Sequence, residues 1–254
     1  MSELYLGTSG WNYKEWKDLF YQGVAQKRWL EHYASKFRAV EINATFYRLL
    51  KEETVKKWAE RTPANFVFTA KGSRYTTHTK RLKDPAAAIG KQKQNLTPLQ
   101  DKLRAVFWQL PANLSKDMNR LQDLARALDS WPEARHAVEF RDTSWFDSET
   151  AACLSEHNLA ACISDAADWP RWDQVTADLV YIRLHGNRGT YQSAYTREEL
   201  QDWAQSICTW VDEGREVHVY FDNTESGAAV DNAFELCSLL SQDSDEPSRA
   251  IAQD

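Results

Sequence analysis

Short runs rich in β-branched and aromatic residues recur along the chain, separated by stretches whose apolar residues fall at steps of three and four. The runs are LYLGTS (4–9), AVEINATF (39–46), FVFTAK (66–71), AVFWQL (105–110), HAVEF (136–140), AACISD (160–165), LVYIRLHG (179–186) and EVHVYFDN (216–223). Helical spacing appears over 27–37 (Trp29, Leu30, Tyr33, Phe37) and over 117–129 (Met118, Leu121, Leu124, Ala125, Leu128). The stretch 196–213 opens with Thr196 and Glu199 as a capping box, repeats Leu200, Trp203, Ile207 and Trp210, and meets Gly214 as its stop. Alternation of strand and helix predicts a parallel sheet with helices outside it, and eight strands in 254 residues fit an α/β fold of the (β/α)8 TIM type. A doubly wound open sheet is the alternative, because periodicity does not report closure. Residues 165–178 are weak as a helix and predict an irregular sixth βα unit. One barrel domain is expected over 1–240, followed by a polar, charged tail at 241–254 that frays.

Composition narrows the partners. With 43% hydrophobic residues, the chain has ample material for a core. A formal net charge of −6 disfavours broad electrostatic capture of nucleic acid, although a local basic cleft remains open. The first ten residues lack a secretory pattern, and no apolar run approaches the roughly 18 residues that span a membrane, so no membrane partner is expected. The four cysteines lack CxxC spacing and read as reduced, mostly buried thiols, which points to the cytoplasm. None of these patterns bears on oligomeric state.

The candidate chemistry sits where the apolar runs end. The first run closes on Thr8 and Ser9, followed by Trp11 and Tyr13. In the second, period two places Glu41, Asn43 and Thr45 on one face, with Phe46 and Tyr47 after them. The third ends in Lys71, with His78 and Arg81 beyond, and the fourth in Gln109. The fifth carries Glu139 and Arg141 on one face, with Trp145 following. The last three end in Asp165, in Arg183 and His185, and in Asp222 and Asn223. In a barrel these ends converge on the C-terminal mouth, where such folds build their sites.

Burying ions without partners costs several kcal/mol each, so the charges are expected to pair: Glu41, Glu139, Asp165 and Asp222 with Lys71, Arg141, Arg183 and a protonated His185. A structural salt-bridge plug is the competing reading. Asp165 reads mostly as structural, as do His136 and His218, which lie at the start or interior of strands. The catalytic candidates are Glu41, Glu139, His185 and Asp222 as acids, bases or their partners. The substrate-binding candidates are Trp11, Tyr13, Asn43, Thr45, Tyr47, Lys71, His78, Gln109, Arg141, Trp145, Arg183 and Asn223. Among them the arginines offer bidentate geometry for carboxylate or phosphate. The aromatic group, which Trp16 and Phe46 extend, could stack on sugars or bases, although loop packing is the commoner use of such rings.

Seven ordered motifs carry a resemblance: GTSGWNYKEWKDLFY, VEINATFY, FTAKGSRYTTHTKRL, FWQLP, HAVEFRDTSWF, YIRLHG and VYFDNTESGAAVDNA. Together, over residues 4–240, they resemble the YecE-like family, known as domain of unknown function 72. The resemblance implies a TIM-type barrel with the motifs clustered at its C-terminal mouth; it implies no reaction. One departure is Gln22–Gly23 after DLFY, where a proline is expected; it should alter a turn and leave the site unaffected.

Three functions compete. The first is an enzyme of hydrolase, lyase or isomerase type for a small polar or anionic substrate, such as a sugar or phosphate compound, with no cofactor and no metal. The second, by fold-level analogy with endonuclease-IV-like barrels, is a metal-dependent phosphoesterase or nuclease, for which His185 and His78 give a thin ligand supply. The third is a non-catalytic nucleotide or nucleic-acid binder using residues 71–83, which carry five Lys or Arg.

Overall fold

The structure is a computed structural model that describes residues 3–225 and 227–242. Eight strands form in chain order: β1 (Leu4–Ser9), β2 (Ala39–Ile42), β3 (Val67–Lys71), β4 (Leu103–Gln109), β5 (Arg135–Glu139), β6 (Ala160–Asp165), β7 (Leu179–Leu184) and β8 (Glu216–Phe221). Each pairs in parallel with its neighbours, and β1 pairs with β8, so the sheet closes and the open-sheet alternative is ruled out. The helices α1 (Trp29–Ala34), α2 (Ala44–Tyr47), α3 (Glu52–Glu60), α4 (Ala86–Leu96), α5 (Met118–Leu128), α6 (Ser148–Glu156), α7 (Arg197–Asp212) and α8 (Ala228–Gln242) complete a (β/α)8 barrel. No helix follows β6, as the weak pattern at 165–178 predicts.

The capping box of α7 is formed in both directions, and Gly214 follows its end at φ +88°. Helix α8 runs to Gln242, two residues past the expected boundary; of the expected tail, residues 243–254 lie outside the described residues. No described helix is long and apolar enough to cross a membrane. In place of the expected proline, Gln22 and Gly23 adopt φ of +44° and +88°. Proline, fixed near −65°, fits neither position, so the departure does alter the turn.

Two apolar layers result from the period-two alternation. One fills the space between strands and helices, with Leu6, Val40, Phe68, Trp108 and Ile182 among its members. The other includes Tyr5, Ala39, Ala105, Phe107, Ala137, Ala160, Tyr181 and Tyr220. Large rings against alanines fill this inner layer, and the mouth charges rest on Phe107 and Tyr181. Near the first turn of the barrel, the Tyr33 hydroxyl reaches the sheet, accepting from the Thr8 N–H at 2.8 Å and donating to the Ala39 carbonyl at 3.1 Å. A Cβ on Gly7 would press on that same carbonyl oxygen and come within 2.8 Å of the hydroxyl. Gly7→Ala is therefore expected to cost about 1–3 kcal/mol through overpacking, seen as a lower urea midpoint at unchanged slope.

Candidate functional site

Arg183, near the end of β7, is the hub of the mouth. Its side chain is 1% exposed. Nε and Nη2 donate to the two oxygens of Glu41 on β2, at 3.0 and 2.8 Å. Nη1 donates to Glu139 on β5 at 2.8 Å, and Nη2 also reaches Asp222 beyond β8 at 3.0 Å. The guanidinium lies 4.4 Å above the Phe107 ring, a cation–π contact. Glu41 receives further bonds from the Ser9 and Tyr181 hydroxyls. Glu139 receives the Nε–H of Arg141 at 2.7 Å. Glu139 and Arg141, expected on one face, do meet at the mouth.

The protonation states follow from these contacts. Burial alone would raise the Glu139 carboxyl, but Arg141 and Arg183, with Lys71, hold it well below the usual carboxylate range. Asp222 is lowered in the same way, chiefly by Arg183 acting against burial. For His185, burial and then Arg183 lower the pKa, while Asp222 opposes them less strongly. The expectation of a protonated His185 is thus corrected to a neutral ring, because burial, and after it the charge of Arg183, cost a second cation more than Asp222 returns. An arginine N–H can only donate, so His185 Nε2, 3.1 Å from Arg183 Nη1, is the acceptor. The ring proton then sits on Nδ1, 3.0 Å from Asp222 Oδ2 but out of line for a straight bond.

Two further pairings differ from expectation. Asp165 stands outside the cluster, 3.8 Å from Arg171. Lys71 touches no carboxylate among the described residues; its Nζ lies 4.5 Å from the Phe46 ring centroid and 5.5 Å from that of Phe107. Burial, then Arg183, lower the Lys71 pKa to about 8 against the pull of the carboxylates. Arg141 stacks 3.7 Å above Trp169, beside the Tyr191 hydroxyl. His78 packs edge-on against Phe46 and is lowered to about 4 by burial and the surrounding cations.

The remaining candidates separate by backbone geometry. Strand β2 stops at Ile42 and turns at once into α2, so period two does not carry from Glu41 to Thr45. The buried Thr45 hydroxyl instead bonds the Ile42 and Lys71 carbonyls, and Tyr47 is 69% exposed. Trp145 is buried against Phe140 with its N–H on the Leu114 carbonyl, so it packs a loop and does not line the mouth. Asn223 bonds Ser193 O and Asn232, anchoring the loop after β7. Gln109 ends β4 opposite Glu139. Asn43 donates to Ser9, and the Tyr13 hydroxyl donates to the Ser9 carbonyl. With Trp11, Asn43 and Tyr13 line a cleft of about 580 Å³ beside the mouth, bounded also by Arg48, Lys51 and Trp58.

Trp169 and Tyr191 escape the sequence reading because both lie in loops without periodicity. Their rings stand edge-on to His185, at 4.9 and 5.6 Å. Tyr191 holds φ +68°, an uncommon conformation for a large side chain, and its N–H binds the His185 carbonyl at 2.6 Å. The only sequence signal for Trp169 is its place four residues after Asp165 in the segment without a helix.

Comparison with known proteins agrees with this architecture. Residues 5–253 match the family described as "Protein of unknown function DUF72". The Escherichia coli (strain K12) protein YecE, of the UPF0759 group, is 31% identical, covering 82% of each chain. YunF of Bacillus subtilis is 25% identical over 93% of this chain and 94% of its own. The crystal structure of a DUF72 family protein from Thermotoga maritima superposes with a TM-score of 0.84 at 27% identity, over 94% of this chain and 99% of that one. By its profile, its relatives and its closed eight-stranded barrel, the chain belongs to the DUF72 family, which includes YecE.

Proposed function

We propose that the barrel mouth is the active site of an enzyme for a small polar or anionic substrate, acting by general-base chemistry. One observation carries this reading: the asymmetry of the hydrogen bonding. Every oxygen of Glu41 and Glu139 is committed to an internal partner. The contacts to Asp222, by contrast, come from Arg183 and His185 and both fall on its Oδ2, while Lys71, whose charge helps keep Asp222 ionised, has its amine against Phe46 and Phe107. Glu41, Glu139 and His185 then act as positioning residues that orient Arg183 and Asp222. Arg141 takes the anionic group, Lys71 adds positive field, and Asp222, ionised at neutral pH, accepts a proton from a substrate O–H or acidic C–H. The guanidiniums stabilise the negative charge that develops.

The other readings draw less support. The mouth carboxylates converge on Arg183, and no group of three His, Cys, Asp or Glu suited to a metal occurs among the described residues. In the basic segment 71–83, Arg81 is spent on Asn113 through two hydrogen bonds.

Thermal unfolding against phosphate, sulfate, sugar phosphates, neutral sugars, Mg²⁺ and a short oligonucleotide tests the proposal. At a hundredfold excess over Kd, a bound anion should stabilise by about 2.7 kcal/mol, or several degrees. Arg141→Met should abolish that shift while staying folded, because Glu139 keeps Arg183. A shift with Mg²⁺ or oligonucleotide alone would sink the anion reading.

A further inference from the structure

The backbone that carries Lys71 is held more tightly than a cation supplying only charge requires. Its carbonyl accepts two side-chain bonds, from Thr45 Oγ1 on α2 at 2.7 Å and from Gln92 Nε2 on α4 at 3.1 Å. The next residue, Gly72, donates to the Phe107 carbonyl at 2.7 Å, and a Cβ there would run into the Trp108 ring. Ser73 N–H then binds Gln92 Oε1 at 2.8 Å. Three elements thus fix the root of this side chain, and two aromatic rings flank its end. Fixing a reactive group from its supporting shell is what a defined attack geometry requires.

We propose that the Lys71 amine is a nucleophile that captures a carbonyl-bearing anion, such as an oxo acid or a carbonyl phosphate, as an imine, with Arg141 on the anionic group. This rests on the mouth being an anion site. Desolvation beside Arg183 leaves far more free amine near neutral pH than an ordinary lysine has, the usual way such lysines are activated. The ammonium first releases a proton to solvent. The nitrogen lone pair then forms a C–N bond to the carbonyl carbon as the C=O π pair moves to oxygen, and one N–H proton transfers to that oxygen. A proton from solvent lets the hydroxyl leave as water while the nitrogen pair closes the C=N bond. The net change is ammonium plus carbonyl to iminium plus water, with no oxidant or reductant.

Glyoxylate with cyanoborohydride near pH 7, followed by peptide mass spectrometry, tests the capture in the whole protein. Lys71 should be alkylated about tenfold faster than exposed Lys51, since a fall in pKa from 10.5 to about 8 raises the free-amine fraction near pH 7 by roughly 300-fold and lower intrinsic reactivity offsets part of it. Inorganic phosphate should protect Lys71, and Arg141→Met should slow its labelling. Lys71→Arg should lose the adduct yet keep the melting shift with phosphate. A phosphate shift without preferential Lys71 labelling overturns the imine and leaves the anion site standing. Fast labelling of Lys71 with neither a phosphate shift nor protection overturns the anion site, and with it the assignment of a carbonyl anion.

Discussion

Arg183→Met should destabilise the protein by at least about 3–5 kcal/mol, the cost of stranding buried charges without their partner. Three carboxylates lose their shared cation at once, and Glu41 and Glu139 are both fully buried. For a chain of this size the loss corresponds to roughly ten degrees in Tm. The triple variant that adds Glu41→Gln and Glu139→Gln should recover part of the loss, because neutral amides do not repel one another. Guanidinium-induced unfolding of both variants decides the matter. A loss below about 1 kcal/mol in the single variant would mean that the mouth relaxes or hydrates, and that Arg183 is not its hub.

Acid should unfold the protein in two steps, each from buried groups whose pKa is lower folded than unfolded. His136, buried with Nε2 on the Trp131 carbonyl and Nδ1 facing the Trp108 N–H, is pushed down by burial to about 4 from 6.5. Glu216 is held at about 2 against its usual 4.5, since bonds from His218 and Arg104 outweigh burial. In both cases the unfolded chain takes up the proton first. The stability is therefore complete above the unfolded pKa and is lost as pH falls through the folded one. The first loss runs from about pH 6.5 to 4 and the second from about 4.5 to 2, each of order 3 kcal/mol. His185 adds to the first step and Glu139 and Asp222 to the second, all with the same sign. Urea midpoints across this range should show the steps. Glu216→Gln should flatten only the lower limb, and His136→Gln only the upper. A stability that rises as pH falls from 6.5 to 4 would contradict the sign.

Local rules carried much of the architecture. Apolar runs separated by helical repeats identify eight strands because a strand buried on both faces must be apolar along its length. The Thr196–Glu199 box and Gly214 mark the ends of α7 because capping is satisfied within a few residues. Polar strand ends locate the mouth, since parallel strands in a closed barrel bring all their C-terminal ends to one side.

What the tertiary structure alone decided lies in contacts between residues far apart in the chain, and in the loops. Arg183 and Glu41 are 142 residues apart, and which carboxylates Arg183 takes depends on the closure of β1 against β8. Thr45 left the predicted face because the chain turned into α2 once β2 ended at Ile42, a change in period within one residue. Trp169 and Tyr191 came to the mouth on loops that carry no repeat to read. The neutrality of His185 and the weak hold on the Lys71 proton are sums over every neighbouring charge and the water removed. Residue type sets only the starting value of such a sum; the folded arrangement sets the rest.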